Sequence, residues 1–212
     1  MLDFTWPADL APYRVMFYLQ PHVGGSESPL TRTRKTYGLS APRWVARFTF
    51  RAGYDAPDTD GAGGFGPRLD AFLSDLEGGV NRTTLWDWRR PRPLRPQYLS
   101  GPLVAAANVA AGATSVPIAG FTPNSIAFSV GDYVGFGDQR PHMVRALSVA
   151  GTDGVATVSF KPPLASTIVA GAAISTDNVW GWFQPTSDDA GQNETEVGEP
   201  TPYTIDFTEF LP

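Results

Sequence analysis

The feature that most constrains this chain is a break in its composition. Charged residues almost vanish between Leu99 and Thr176, a stretch that holds 6 of them. The segment before it carries 13 of the 16 Lys and Arg residues, and the segment after it carries 8 acidic residues and no basic one. A composition that changes and then changes back is typical of an insertion. We therefore predict one domain built from residues 1–98 and 177–212, with residues 99–176 inserted as a second, independent β domain.

The composition also favours a turn-rich β protein. Its 22 Gly and 20 Pro are spread along the chain between short apolar runs, which is typical of many short strands. Charged residues make up 17%, below the roughly 25% of an ordinary soluble domain. A surface poor in charge is typical of one covered by neighbouring subunits, so we expect an oligomer.

Several classes of protein are disfavoured by the same numbers. The chain has no Cys, which excludes disulfides and thiolate metal sites. A net charge of −5 argues against specific nucleic-acid binding. The apolar stretch Leu103–Ala113 is too short to cross a bilayer, so we expect no membrane insertion. The start of the chain shows no secretory signal.

Periodicity predicts the main elements of the outer domain. Residues 13–20 form an aromatic strand that Pro21 should end, and residues 22–36 are predicted as a long loop. Residues 43–51 alternate between apolar and basic side chains, as in a half-buried strand. Residues 203–210 alternate in the same way, and we expect this strand to pair with the N-terminal strands.

One helix is predicted. Leu69, Phe72, Leu73 and Leu76 recur at helical spacing after Pro67, and two glycines follow them. Inside the insertion, apolar runs separated by turn residues predict five or six short strands, with a hairpin turn at residues 152–154. The insertion is therefore a small β-barrel or β-sandwich, and the sequence does not choose between the two.

Motifs for chemistry are missing from the sequence. There is no phosphate-binding loop, no nucleophile elbow and no acid pair in an apolar frame. His22 and His142 have no further ligand at metal-binding spacing. We therefore expect a protein that is not an enzyme, with no cofactor and no metal.

Two groups of residues admit two interpretations each. The tryptophan pairs Trp86/Trp88 and Trp180/Trp182 could form a sugar-binding platform, although packing is the favoured interpretation. The basic run from Arg89 to Arg95 could meet phosphates, although pairing with acidic residues of this or a neighbouring subunit is favoured. We also expect the long loops at residues 22–36, 53–66 and 188–199 to mediate contacts between subunits or with other proteins of the same assembly. The candidate interface residues are Arg32, Arg34, Lys35, Arg89, Arg90, Arg92, Arg95, Glu194, Glu196 and Glu199.

The order of elements resembles a known family. The segments that carry the resemblance are Phe17–Gln20, Ser28-Pro29-Leu30-Thr31, Arg43-Trp44, the helix Leu69–Leu76, Asn81–Asp87, Gly131-Asp132-Tyr133, Pro162-Pro163-Leu164 and the final Asp-Phe-Thr-Glu-Phe. Together they resemble the distal tail proteins of long-tailed bacteriophages.

This resemblance implies a fold and a role. It implies a β-sandwich similar to the tail-tube subunit, with one flanking helix, that forms a hexameric ring and carries an outward β domain. Such a ring joins the tail-tube protein to the hub protein at the tail tip and lets DNA pass. The protein would be made in the host cytoplasm and located in the virion. The alternative is a carbohydrate-binding adhesin or receptor-binding module, with the insertion as its receptor surface.

Overall fold

The computed structural model describes residues 1–52, 65–192 and 201–211. Within these residues the protein is mainly β, with 47% in strands and one short α-helix, α1 (Phe65–Asp75), so the predicted fold class is confirmed. The strands are β1 (Asp3–Thr5), β2 (Arg14–Glu27), β3 (Arg34–Ala52), β4 (Arg82–Trp86), β5 (Leu99–Ala105), β6 (Ser115–Phe121), β7 (Ile126–Phe128), β8 (Tyr133–Val134), β9 (His142–Val144), β10 (Ser148–Val149), β11 (Val155–Lys161), β12 (Trp180–Pro185) and β13 (Thr201–Glu209).

A six-stranded sheet is built from both ends of the chain. Its strand order is β1-β4-β12-β13-β3-β2. Strand β13 lies between β12 and β3 and is antiparallel to both, so the expected pairing of this strand with the N-terminal strands is confirmed. This sheet and α1 are called the first lobe below, and residues 99–176 are called the inserted lobe.

One face of the six-stranded sheet packs against α1. The alternation predicted in β3 is confirmed: Trp44, Ala46, Phe48 and Phe50 are 0–1% exposed, whereas the intervening Arg47 lies on the other face. The helix contributes its predicted apolar stripe, Leu69, Phe72, Leu73 and Leu76, to the same core. Trp6 lies at the centre of that core, with ring centroids 5.0 Å from Phe72, 5.8 Å from Phe50 and Phe207 and 6.1 Å from Phe48.

The inserted lobe has a second core. A five-stranded sheet of order β5-β6-β11-β9-β8 and the pair β10-β7 enclose buried side chains from Leu103 to Ile168. The predicted turn before β11 forms at residues 151–154, where the amide of Gly154 donates to the carbonyl of Gly151 at 3.1 Å. Strand β10, however, pairs with β7 and not with β11. The predicted turn is therefore present, but the predicted pairing of the two strands that flank it is wrong.

The region predicted as a long loop at residues 22–36 is instead a β-hairpin. Strand β2 continues to Glu27 and pairs with β3 in the rungs Gly24↔Tyr37 and Glu27↔Arg34. Pro21 does not end the strand, because it lies where the register shifts between Gln20 and His22, and a bulge tolerates a residue without an amide hydrogen. Residues 21–42 are called the arm below.

The two lobes share a packed boundary. Tyr133 belongs to the inserted lobe by sequence, yet its side chain lies in the core of the first lobe, 5.7 Å from Trp44 and 6.1 Å from Phe17 between ring centroids. Its hydroxyl donates to the buried carboxylate of Asp87 at 3.1 Å. The inserted lobe is therefore fixed to the first lobe through side chains, in addition to the two chain crossings.

Candidate functional site: the arm and the joint between the lobes

The arm is the most exposed ordered part of the first lobe. Every residue from 29 to 41 is exposed. The turn at its tip is closed by two backbone hydrogen bonds, from Ser28 to Thr33 at 3.0 Å and from Arg32 to Ser28 at 2.8 Å. Leu30, at the tip, is 94% exposed. The arm therefore has an ordered backbone but buries almost nothing within its own chain.

The arm carries both apolar and basic side chains. Val23, Tyr37 and Leu39 are each more than half exposed. The predicted interface residues Arg32, Arg34 and Lys35 lie at the distal end, and all three are exposed. The structure thus brings these three residues together on one projecting element. This combination of apolar and basic side chains is typical of a surface that a protein partner covers.

Arg89, one of the predicted interface residues, has partners within its own chain. Its guanidinium group forms two hydrogen bonds with the carboxylate of Asp87, at 2.8 and 2.9 Å, and donates to the carbonyl of Phe17 at 2.7 Å. The Asp87 side chain is fully buried. Arg89 therefore binds a buried carboxylate of its own chain, while 43% of its side chain stays exposed.

The other basic residues of the run remain near the surface. Arg90 donates to the carbonyl of Gly131 at 2.9 Å, so it crosses from the first lobe to the inserted lobe. Arg92 lies 3.6 Å from Asp177, and both side chains are mostly exposed. Arg95 is exposed. Arg90 and Arg92 both line a cavity of about 440 Å³, which is formed by residues 89–94 and 130–132.

The acidic candidates lie outside the described residues. Glu194, Glu196 and Glu199 fall in the segment 193–200, and most of the predicted loop at residues 53–66 falls in 53–64. The described part of the acidic loop contributes Asp188 and Asp189, which are both exposed.

The second feature is a loop of the inserted lobe whose buried arginine, Arg140, pairs with a glutamate of the first lobe. Arg140 is 4% exposed and Glu209, at the end of β13, is 5% exposed. The guanidinium group donates to both Glu209 carboxylate oxygens, at 2.7 and 3.0 Å, and to the carbonyl of Pro42 at 2.6 Å. The amide of Trp44 donates to the same carboxylate at 2.8 Å. Burial raises the pKa of Glu209, and the Arg140 charge opposes that rise.

Neighbouring residues of this loop also accept hydrogen bonds from side chains of the first lobe. The Trp44 indole donates to the carbonyl of Pro141 at 2.7 Å, and the Trp182 indole donates to the side-chain oxygen of Gln139 at 2.7 Å. Gly181 allows this approach, because a Cβ there would lie 2.8 Å from the Pro141 ring. Residues 138–142 are called the joint below.

The base of the joint is a buried histidine–aspartate pair. The Nε2 atom of His142 lies 2.9 Å from Asp138 Oδ2, and its Nδ1 atom lies 2.8 Å from the carbonyl oxygen of Pro162. Neither side chain is exposed to solvent. The imidazole also packs between the rings of Phe136 and Phe160, at 5.2 and 4.8 Å. The pair therefore ties the joint to the chain that follows β11.

The joint was not predicted from the sequence. A usable signal was present, because Asp138 and Arg140 are two of the six charges in the inserted block and stand two residues apart. A charge that persists in an apolar, charge-poor segment needs a partner when it is buried. The partner Glu209 lies 69 residues further along, and spacing alone does not indicate such a pairing.

The tryptophan pairs mostly pack. Trp86 and Trp88 stack at 4.5 Å and contact the first core. Trp182 lies beneath the Arg82 guanidinium at 4.5 Å, which is a cation–π contact. Trp180 is 39% exposed and lines a small cavity of about 190 Å³ together with Gln139 and Ser175.

The described residues hold neither a cluster of side chains that could bind a metal ion nor a helix that could span a membrane. Residues 1–52, 65–192 and 201–211 contain no group of three or more metal-ligating side chains. Over the same ranges, no helix is long and apolar enough to span a membrane.

Neither a family model nor a curated protein sequence matches this chain.

Proposed function

We propose that this chain is a structural, non-catalytic protein of a bacteriophage tail tip, and that it assembles into a ring between the tail tube and the hub. The arm is the observation that carries the proposal. A two-stranded ribbon with no buried face is marginally stable in water. Because the arm places Tyr37, Leu39 and three basic side chains in solvent, a partner surface would stabilise it.

The edges of the six-stranded sheet support a head-to-tail assembly. The sheet ends on β1 at one side and on the 14-residue β2 at the other. Neither outer edge pairs with a strand among the described residues. Unpaired edges are templates for strand pairing, and pairing between two different edges is a heterologous contact, which generates a ring when the rotation between subunits closes.

The ring and the passage of DNA follow from the family resemblance. We propose a hexamer with tail-tube and hub partners and a location at the virion tail tip. The charge supports a bore that does not hold DNA, because the chain has a net charge of −5.

The test is the oligomeric state of the purified full chain. We expect rings in negative-stain images and a ring mass by light scattering. The double variant Arg34→Glu/Lys35→Glu should weaken assembly, and increasingly so at low salt, where charges are least screened. Arg145→Glu, which reverses an exposed charge on the inserted lobe, is the matched control. A chain that stays monomeric at every concentration would contradict the proposal.

A second candidate function rests on Trp180. Its exposed ring borders the cavity of about 190 Å³ with Gln139 and Ser175, which together offer an aromatic wall and polar groups. This arrangement favours a carbohydrate-binding role. Binding of the full chain on a glycan array, lost in Trp180→Ala, would support that role over a purely structural one.

A further inference from the structure

A cavity of about 420 Å³ opens at the root of the arm. It lies where the register of β2 and β3 shifts: the rung Gln20↔Arg43 is followed by His22↔Ser40, so β3 has one residue more than β2 between these rungs. A bulge of this kind bends a strand and turns the side chains beside it. The side chains of all four residues line the cavity, so the bulge gathers polar groups from both strands at one place.

Several donors in this cavity have no acceptor in the described part of the chain. The Nε atom of Arg43 donates to Gln20 Oε1 at 3.4 Å, and the two terminal nitrogens of the guanidinium group meet no acceptor among the described residues. The Nδ1 atom of His22 lies 2.8 Å from Ser40 Oγ, and its Nε2 atom has no partner in residues 1–52, 65–192 and 201–211. An imidazole nitrogen, a hydroxyl and a guanidinium group can each donate to the oxygen of a ligand.

A second arginine on the same strand shows which kind of ligand Arg43 suits. Arg47 lies four residues further along β3, and the alternation of a strand places both side chains on one face of the sheet. The Arg47 guanidinium donates to both carboxylate oxygens of Asp206, at 2.6 and 2.9 Å. Arg43 has no such carboxylate among the described residues. Because a planar guanidinium group binds carboxylate or phosphate through two parallel hydrogen bonds, Arg43 suits a ligand that brings an oxyanion.

The rest of the cavity is apolar. Pro21, Ala41 and Leu211 complete its lining, and the Leu211 side chain is 43% exposed. The volume of about 420 Å³ lies within the range of small-molecule sites, roughly 300–1,000 Å³, and exceeds what a bare carboxylate or phosphate fills. The cavity therefore has room for an apolar group next to the oxyanion.

We propose that the root of the arm is a binding site for an oxyanion attached to a small apolar group. Arg43 donates two hydrogen bonds to the carboxylate or phosphate, His22 and Ser40 are further donors, and the apolar group packs against Leu211. A free small anion and an acidic side chain of another protein chain offer the same chemistry. The site is independent of the ring proposed above, because all of its residues belong to one subunit.

Isothermal titration calorimetry of the full chain tests the site with three anions. Benzoate combines an oxyanion with an apolar ring, inorganic phosphate is a free oxyanion, and a peptide with the sequence of residues 187–199 represents an acidic protein segment. Benzamide is the neutral control for benzoate. We expect benzoate to bind about tenfold more tightly than benzamide, because hydrogen bonds between two charged groups are about twice as strong as neutral ones.

The three anions also distinguish the two sources of the oxyanion. Binding of the peptide in preference to benzoate would assign the oxyanion to a protein partner, and the reverse order would assign it to a small free anion. Binding of phosphate alone would overturn the apolar part of the proposal. Absence of binding for all three anions, or equal binding of benzoate and benzamide, would overturn the whole of it.

Three variants assign the binding to the cavity. Arg43→Gln should weaken anion binding about tenfold, and His22→Gln should weaken it about threefold, because each removes one donor from the ligand. Arg145→Gln removes an exposed positive charge from the inserted lobe and should leave the affinity unchanged. Circular dichroism checks that each variant is folded. If Arg43→Gln and His22→Gln both bind the anions as tightly as the wild type, the site proposed here is wrong.

Discussion

The arm and the joint both carry charged side chains outside the two cores, and the fold uses these charges in opposite ways. The arm leaves Arg32, Arg34 and Lys35 exposed to solvent, whereas the joint buries Arg140 against Glu209 with two hydrogen bonds. Exposed basic residues contribute little to the stability of a single subunit, because water and salt screen them. A buried ion pair is different, because removal of one partner leaves the other as a buried charge without compensation. This contrast separates residues available for assembly from residues that hold one subunit together.

Removal of the joint's arginine should have the largest effect. We expect Arg140→Met to lower the free energy of unfolding by about 3–5 kcal/mol, because Glu209 is left as a buried charge without its partner. Urea denaturation measures the change. The double variant Arg140→Met/Glu209→Leu should recover most of the loss, since it removes both charges. A double variant no more stable than the single one would contradict this account.

Substitution of Arg89 should lower the free energy of unfolding, as in the joint, whereas substitutions in the arm should not. Arg89→Met removes two hydrogen bonds from the buried Asp87 carboxylate, which keeps its contact with Tyr133. We expect a loss of about 1–3 kcal/mol in the free energy of unfolding. If stability is unchanged and assembly is impaired instead, Arg89 belongs with the interface residues after all.

Glu209 gives a pH signature with a defined sign. Its pKa is raised by burial, so the folded state holds this proton more tightly than the unfolded state does. Its contribution to stability is therefore present below the ordinary glutamate range and is lost as the pH rises through the folded-state pKa. We expect the stability of Glu209→Gln relative to wild type to increase over that rise. Thermal unfolding at a series of pH values measures it, and a constant difference would refute the sign.

The arm should show the smallest effect on stability. We expect Leu30→Ser to change the free energy of unfolding by less than about 0.5 kcal/mol, because the side chain is 94% exposed. The same variant should weaken assembly, as measured by sedimentation velocity over a range of concentrations. A loss of stability comparable to that of Arg89→Met would show that the arm packs within its own subunit.

The spacing of apolar residues predicts the strands and the helix that bury one face. It does not predict an element whose two faces are both exposed. Residues 44–50 and 203–207 alternate because one side meets the core, and the helix at 65–75 shows its stripe for the same reason. The arm has no such alternation, since it is exposed on both faces, and its glycines and Pro21 suggested a loop. The joint was missed because its partners, Glu209 and Trp44, are distant in sequence.

The position of β13 in the middle of the sheet has a consequence for the order of folding. Among the described strands β13 comes last in the chain. It nevertheless lies between β12 and β3 and pairs with both. The strands of the inserted lobe are contiguous in the chain, so a ribosome releases them all before the first lobe can be completed. Domains fold as units during synthesis, with the earlier ones first. We therefore expect the inserted lobe to fold before the sheet of the first lobe is completed, so that Glu209 reaches Arg140 only after both lobes have formed their other strands.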